Sequence, residues 1–316
     1  MTEMSTQEIA KEINLYLAQG NGKAKSASKV KKAVKSADDY LLGADVPKPW
    51  WLDDFLKLNN DRMNETIVRA ISEKGMGSLK GYGEGYFNEI IQNANDLHQG
   101  EELIVSLDKN EWGYKVECQY VDKGFKLSNI YAFLNREMSD KSAQEGQTGK
   151  YGVGIKSLLM FADRLEIKSN VHFGYEVDRK NSELKEATAE VASNAQGEGM
   201  TRLSFSFGKA DDTGKINGFN VGKLSNLIDM LCDPNDQSVE ALLKCFMTGK
   251  DEELVLDIRA LLFLAGKNES NAGEEKKNLR SLKFRGQKHW IEFELEQQGE
   301  GYCIDQSIEE EDEEKI

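Results

Sequence analysis

Three short stretches carry side chains whose types and spacing suit chemistry on a phosphorylated ligand. In Tyr86-Phe87-Asn88-Glu89-Ile90-Ile91-Gln92-Asn93-Ala94-Asn95-Asp96-Leu97, a helical advance of about 100° per residue puts Glu89, Asn93 and Asp96 on one stripe, with Phe87, Ile90, Ile91, Ala94 and Leu97 beside it. Alone, that is an amphipathic helix with a wet face. A carboxylate and a carboxamide one turn apart also form a useful pair. Asn93 offers a neutral oxygen to Mg²⁺, and Glu89 can take a proton from a water attacking a terminal phosphate. The second stretch, Val121-Asp122-Lys123-Gly124-Phe125, follows a run rich in β-branched and aromatic residues. An aspartate at a strand end can accept from an exocyclic amine, and a glycine two residues on lets backbone approach a flat ring. Read alone, D-x-G is simply a turn. The third is Gly146-Gln147-Thr148-Gly149-Lys150-Tyr151-Gly152-Val153-Gly154-Ile155-Lys156-Ser157. Glycines ahead of a helix leave backbone N–H groups free to face anionic oxygens, and the helix dipole adds to the attraction. The stretch is not a Walker A loop, because G-x-x-x-x-G-K-[ST] is not satisfied at Lys150, Lys215 or Lys250, and its glycine spacing runs opposite to the dinucleotide fingerprint.

The elements that must position these groups can be read from periodicity. Met63, Ile67, Val68 and Ile71 recur at helical spacing over 61–73, a glycine-rich run spans 75–85, and the Glu89 helix follows it. Strand-like runs stand at 102–107, 114–121, 165–169, 174–177 and 201–207, with helices at 127–134 and 154–162. Further on, helices are expected at 221–232 and 239–246, an apolar stretch at 254–265, a loop at 268–277, and strands at 279–285 and 290–295. Short connections between strands imply a two-layer α+β sandwich: a mixed, mostly antiparallel sheet with helices on one face, rather than a regular parallel series. The expected divisions are a helical extension over 1–59, a central domain over 60–210, an α/β extension over 211–304 and a disordered acidic tail over 305–316. The first boundary follows the break at Pro47-Lys48-Pro49-Trp50-Trp51.

Composition narrows the function classes. The chain has 316 residues, 39% hydrophobic and 30% charged, which excludes collagen-like, mucin-like and membrane-spanning compositions. Of the net charge of −14, residues 305–316 contribute −6, from seven carboxylates against Lys315. An acidic body argues against broad binding to nucleic acid or anionic lipid, which needs a surplus of Lys and Arg. A local basic patch is still present in Lys23, Lys25, Lys29, Lys31, Lys32 and Lys35. It reads as a phosphate-binding arm or as a solvated helix face, and its lack of aromatics favours the second. Cys118, Cys232, Cys245 and Cys303 are far apart, so reduced core thiols are expected rather than a zinc or disulfide framework. The first residues lack the apolar core of a secretory signal and no apolar run approaches about 18 residues, so a cytoplasmic location is expected.

Taken in order, Glu89-x-x-x-Asn93, Asp122-x-Gly124, Gly149-Lys150-Tyr151-Gly152-Val153-Gly154 and Gly199-Met200-Thr201-Arg202-Leu203 resemble the motif series of the GHKL ATPases. This superfamily, with its Bergerat fold, is named for gyrase, the ninety-kilodalton heat-shock chaperone, histidine kinases and mismatch-repair ATPases. The wording of Glu89–Asp96 and Gly149–Ser157 is most similar to the heat-shock-chaperone and sacsin-type branch, and the likeness spans roughly residues 60–210. The resemblance implies ATP and Mg²⁺ as cofactors. It makes Glu89 the general base, Asn93 the Mg²⁺ ligand and Asp122 the partner of the adenine amine, supported by Thr201. Gly124 gives the ring room, and Asp96 stands on the ribose and adenine side. Gly149, Lys150, Tyr151, Gly152, Val153 and Gly154 wrap the phosphates, and residues 135–147 form a lid. Two departures stand out. Lys126 replaces the second glycine of the family's D-x-G-x-G, and no basic residue from a later domain maps onto the γ-phosphate, although Lys283, Arg285 and Lys288 lie downstream.

The resemblance thus implies an Mg²⁺-dependent, slow ATPase module whose lid closure governs contact with a protein partner or dimer mate. It would serve as one subunit of a larger system, for example in defence or nucleic-acid processing. Two alternatives stay open at this point. One is a nucleotide sensor or scaffold that does not hydrolyse. The other is a histidine-kinase-like catalytic domain, disfavoured because none of His98, His172 and His289 lies in a paired-helix phosphoacceptor segment.

Overall fold

The computed structural model describes residues 5–19, 27–43, 45–71, 90–91, 94, 98–122, 124–134, 155–179, 181, 183–192, 199–216, 218–232, 279–287, 289–298 and 301–310. Helices α1 (Thr6–Gln19), α2 (Ala27–Leu41) and α3 (Leu52–Ile71) come first, followed by strands β1 (His98–Lys109) and β2 (Gly113–Asp122) and helix α4 (Leu127–Leu134). A short 3₁₀ helix (Ile155–Met160) leads into β3 (Arg164–Lys168), β4 (Val171–Asp178), β5 (Glu183–Val191) and β6 (Met200–Gly208). The small β7 (Lys215–Ile216) and β8 (Phe219–Asn220) pair with each other, and α5 (Gly222–Cys232), β9 (Ser281–Arg285), β10 (His289–Gln298) and β11 (Gly301–Glu310) complete the described chain.

Nine of these strands form one sheet in the order β11-β10-β9-β1-β2-β6-β3-β4-β5. Every pairing in it is antiparallel except β1 with β9. The sheet obeys the period-two rule closely. Leu103, Val105 and Leu107 of β1, Val116, Cys118 and Tyr120 of β2, Leu203, Phe205 and Phe207 of β6, and Leu165 and Ile167 of β3 are buried. The alternate residues Lys115, Glu117, Arg202, Glu166 and Lys168 occupy the other face, joined by ion pairs such as Arg202–Glu117 at 3.2 Å and Lys168–Glu166 at 3.4 Å. Apolar rows on one face and charged rows on the other leave one side of the sheet for helices. The expected α+β architecture is therefore the observed one.

Four features differ from the sequence expectation. No element is expected over 183–191, yet β5 (ELKEATAEV) forms the outer strand beside β4, with only Ala189 buried and α3 lying against it. Charged side chains are what an edge strand carries to discourage further pairing. The boundary placed at residue 60 falls inside α3, a continuous helix of 20 residues. The boundary at residue 210 does not divide the sheet, because β9 pairs in parallel with β1 from Glu102↔Ser281 to Ser106↔Arg285. The acidic run is ordered through residue 310, since β11 pairs with β10 from His289↔Glu310 to Gln298↔Gly301. There the continuous ladder satisfies backbone groups over ten residue pairs. The expected helix at 239–246, apolar stretch at 254–265, loop at 268–277 and the end of the acidic run at 311–316 lie outside the described residues. Among the described residues no helix is long and apolar enough to cross a membrane.

Candidate functional site

The buried row of β2 runs Val116, Cys118, Tyr120 and then Asp122. The row of β6 begins with Thr201 before Leu203 and Phe205, and the row of β3 runs Leu165, Ile167 and then reaches Ser169 just past the strand. These three strands are neighbours in the order β2-β6-β3. Three apolar rows therefore end together in a carboxylate and two hydroxyls, at one end of the core-facing side of the sheet. Asp122 and Thr201 are only 1% and 0% exposed. Polar groups buried this deeply require partners.

They have them. Thr201 Oγ1 donates to the Asp122 carboxylate, 2.9 Å from each oxygen, and lies 3.0 Å from Ser169 Oγ. A threonine hydroxyl holds one proton. With that proton on Asp122, the Ser169 hydroxyl is the donor to Thr201, and Ser169 Oγ accepts the Phe125 N–H at 3.3 Å. The Gly124 N–H donates to Asp122 Oδ1 at 2.8 Å. Burial pushes the Asp122 carboxyl up to about 6, opposed by the Gly124 N–H and the Thr201 hydroxyl. At neutral pH the group is mainly an anion with few solvent contacts, an acceptor prepared for an N–H donor.

The turn after β2 supports this geometry. Gly124 has φ of +75°, in the left-handed region, and a Cβ there would lie 2.0 Å from Asn170 Nδ2. Across the sheet, Gly199 has φ of +52° and its carbonyl accepts the Asp122 N–H at 2.7 Å. Both glycines bring backbone close to Asp122, one through its N–H and the other through its carbonyl. Ser169 and Asn170, which shape the turn, are absent from the sequence motifs. The period-two row Leu165, Ile167, Ser169 was the available signal.

Downstream of the glycine-rich run, the helix expected over 154–162 is a 3₁₀ helix of six residues. Its end is clasped to the sheet. Arg179 Nη2 donates to the Leu159 carbonyl at 2.9 Å and to the Ala162 carbonyl, while Arg179 Nε stands 3.0 Å from Asp163 Oδ1. Asp163 Oδ2 accepts the Gly208 N–H at 3.0 Å, and Tyr175 O–H donates to the Ala162 carbonyl at 3.3 Å. The orphan carbonyls at a helix end are thus taken by a cation, the favoured charge at that position.

Ile90, Ile91 and Ala94, which flank the expected Glu89 stripe, are helical and buried. Glu89, Asn93, Asp96, Gly149, Lys150, Tyr151, Gly152, Val153 and Gly154, with the lid at 135–147, lie outside the described residues, as do Lys23, Lys25 and Lys288. Lys29, Lys31, Lys32 and Lys35 are exposed on α2. Lys283 is held by Glu102 at 2.6 Å and Glu292 at 3.2 Å, and Arg285 stacks over Trp290 at 3.6 Å. Both cations are engaged on the sheet. Cys118 and Cys232 are free buried thiols, and burial pushes Cys118 up to about 12, as inert core thiols require.

No family model and no curated protein matches the chain. Among solved structures it is similar to the ATPase region of Saccharomyces cerevisiae topoisomerase II, at 12% identity and a TM-score of 0.31 over 68% of this chain and 58% of that one. The same region bound to ICRF-187 (dexrazoxane) aligns at 10% identity with the same coverage and TM-score. The chain thus spans under two thirds of the length of these structures.

Proposed function

We infer that the chain is a GHKL-type ATP-binding module, and that it hydrolyses ATP slowly with Mg²⁺. The observation that carries this reading is the buried convergence of Asp122, Thr201 and Ser169 beneath the Gly124 turn. A buried carboxylate that is already hydrogen-bonded, yet raised to about 6 by desolvation, gains from one further N–H donor, and the exocyclic amine of adenine is such a donor. Asp122 would accept that amine. Thr201 would hold the carboxylate in place, and Gly124 would leave room for the ring.

The other roles rest on the motif series. Glu89 would orient and deprotonate the attacking water, and Asn93 would hold Mg²⁺, which neutralises phosphate charge when bound. Asp96 would stand on the ribose side. The backbone of Gly149 to Gly154 would cradle the phosphates, with Lys150 beside them. Closure of the 135–147 lid over the nucleotide would control contact with a protein partner or a second copy of the chain. Lys283 and Arg285 are committed elsewhere, so a cation completing the site would come from another element or a partner. Slow turnover fits that arrangement.

Phosphate release and binding of a non-hydrolysable ATP analogue, compared between wild type and Glu89→Ala, test the reading. The variant is expected to bind the analogue normally and to lose turnover by about 10²-fold or more. Equal phosphate release from both proteins, with binding intact, would leave a nucleotide sensor in place of an enzyme.

A further inference from the structure

Four successive backbone amides after β2 are each held by a side-chain oxygen. The Gly124 N–H donates to Asp122, the Phe125 N–H to Ser169 at 3.3 Å, the Lys126 N–H to Asn129 at 2.7 Å and the Leu127 N–H to Asp38 at 2.7 Å. The first two acceptors belong to the candidate site and the third to α4 itself. The fourth comes from α2, 89 residues earlier in the chain.

Lys126 is the N-cap of α4, since its carbonyl accepts the first bonds of the helix from Asn129 and Ile130. A lysine there has no side-chain acceptor for the free N–H groups of the first turn, whereas serine, threonine, aspartate or asparagine would supply one. Asp38 supplies an acceptor from outside the helix, for the N–H of Leu127 at the first helical position. Its half-buried carboxyl is raised by burial, and the Leu127 N–H and the nearby Lys126 ammonium act in the opposite direction. Lys126 is also the residue that departs from the D-x-G-x-G pattern. The substitution and the cap from α2 therefore belong together: a lysine that cannot cap is placed beside a carboxylate that does.

We propose that Asp38 is a positioning residue of the nucleotide site, through which the N-terminal helices hold the turn carrying Asp122 and Gly124. The proposal rests on the nucleotide reading above and extends it, because it makes α2 a working part of the pocket instead of an appendage.

The test uses the full chain and a non-hydrolysable ATP analogue with Mg²⁺, measured well below the melting temperature. Asp38→Ala should weaken binding about fivefold, the scale of one lost cap. Asp38→Asn, which keeps an acceptor oxygen, should stay within about twofold of wild type. Adding Lys126→Ser to Asp38→Ala offers an acceptor to the Ser128 or Asn129 N–H but leaves the Leu127 N–H and the tie to α2 unmade, so the affinity should stay low. Ile228→Ala in α5, fully buried and in another part of the core, serves as a destabilised control and should bind normally. Unchanged binding in Asp38→Ala would overturn the proposal. So would a loss that Ile228→Ala matches, since general destabilisation would then account for it, or one that Lys126→Ser restores in full, since a helix cap without α2 would then suffice. If wild type itself binds no nucleotide, the functional reading fails on its own. Amide exchange at Leu127, faster in Asp38→Ala than in wild type, would then still show whether the cap exists.

Discussion

Asp122 is the residue at which sequence pattern and physical environment coincide. Its carboxyl is raised to about 6 mainly by burial, so its two protonation states have opposite consequences. The folded chain holds the proton more tightly than the unfolded chain does. The stabilisation this gives is complete below the ordinary aspartate value and is lost as pH rises through about 6. An amine ligand prefers the ionised form, so nucleotide affinity should run the other way and fall about tenfold from pH 7 to pH 5. Calorimetric titration of the ATP analogue across that range checks the affinity trend, and thermal melts of the free protein check the stability trend. Asp122→Asn should flatten both profiles and weaken binding at pH 7 about tenfold or more, since an amide nitrogen turned toward the ligand repels its amine. A melting temperature of the variant that kept the wild-type pH dependence would assign the titration to another group. Asp122, Gly124 and Thr201 were legible because their order along the chain is unusual. Ser169 was not, because a serine after a strand is commonplace until its partners are known.

Among the elements, the 3₁₀ helix after the glycine-rich run depends most on remote contacts. Periodicity predicts a helix over 154–162, but the Arg179 guanidinium takes the carbonyls of Leu159 and Ala162 and ties them to Asp163. Phe161 and Ala162 then turn into β3 through bonds to the Leu158 carbonyl. Arg179→Gln should destabilise the protein by about 2 kcal/mol, because Asp163 loses its cation and the two carbonyls lose a charged donor. Tyr175→Phe, which removes one longer bond at 3.3 Å, should cost about 1 kcal/mol or less. Urea midpoints of the two variants give the comparison, and a ranking with Tyr175→Phe the more damaging would contradict this account of the clasp. No local pattern marks Arg179, since its role exists only where the end of β4 meets the 3₁₀ helix.

At the scale of the whole molecule, β9 joins the last third of the chain to the first strand of the sheet. Leu282 and Phe284 of β9 and Ile291 and Phe293 of β10 are fully buried. Ending the chain before Leu279 would remove that apolar surface and leave β1 as an unpaired edge. Such an edge invites pairing between chains. The truncated protein is expected to elute as aggregate in size-exclusion chromatography, while the full chain elutes as a discrete species. A monodisperse, cooperatively melting truncation would mean that the central region folds independently after all.

The sequence by itself determined the class of fold, the approximate place of most strands and the carboxylate and glycine at the candidate site. Each is written in local periodicity or in close spacing. Tertiary structure decided what depends on residues distant in the chain: the single sheet that ignores the expected divisions, the edge role of β5, the hydroxyl of Ser169 beside Thr201, the Arg179 clasp and the cap lent by Asp38. Hydrogen bonds and β pairing act over a few ångströms in space without regard to separation along the chain, so a pattern read residue by residue does not contain them.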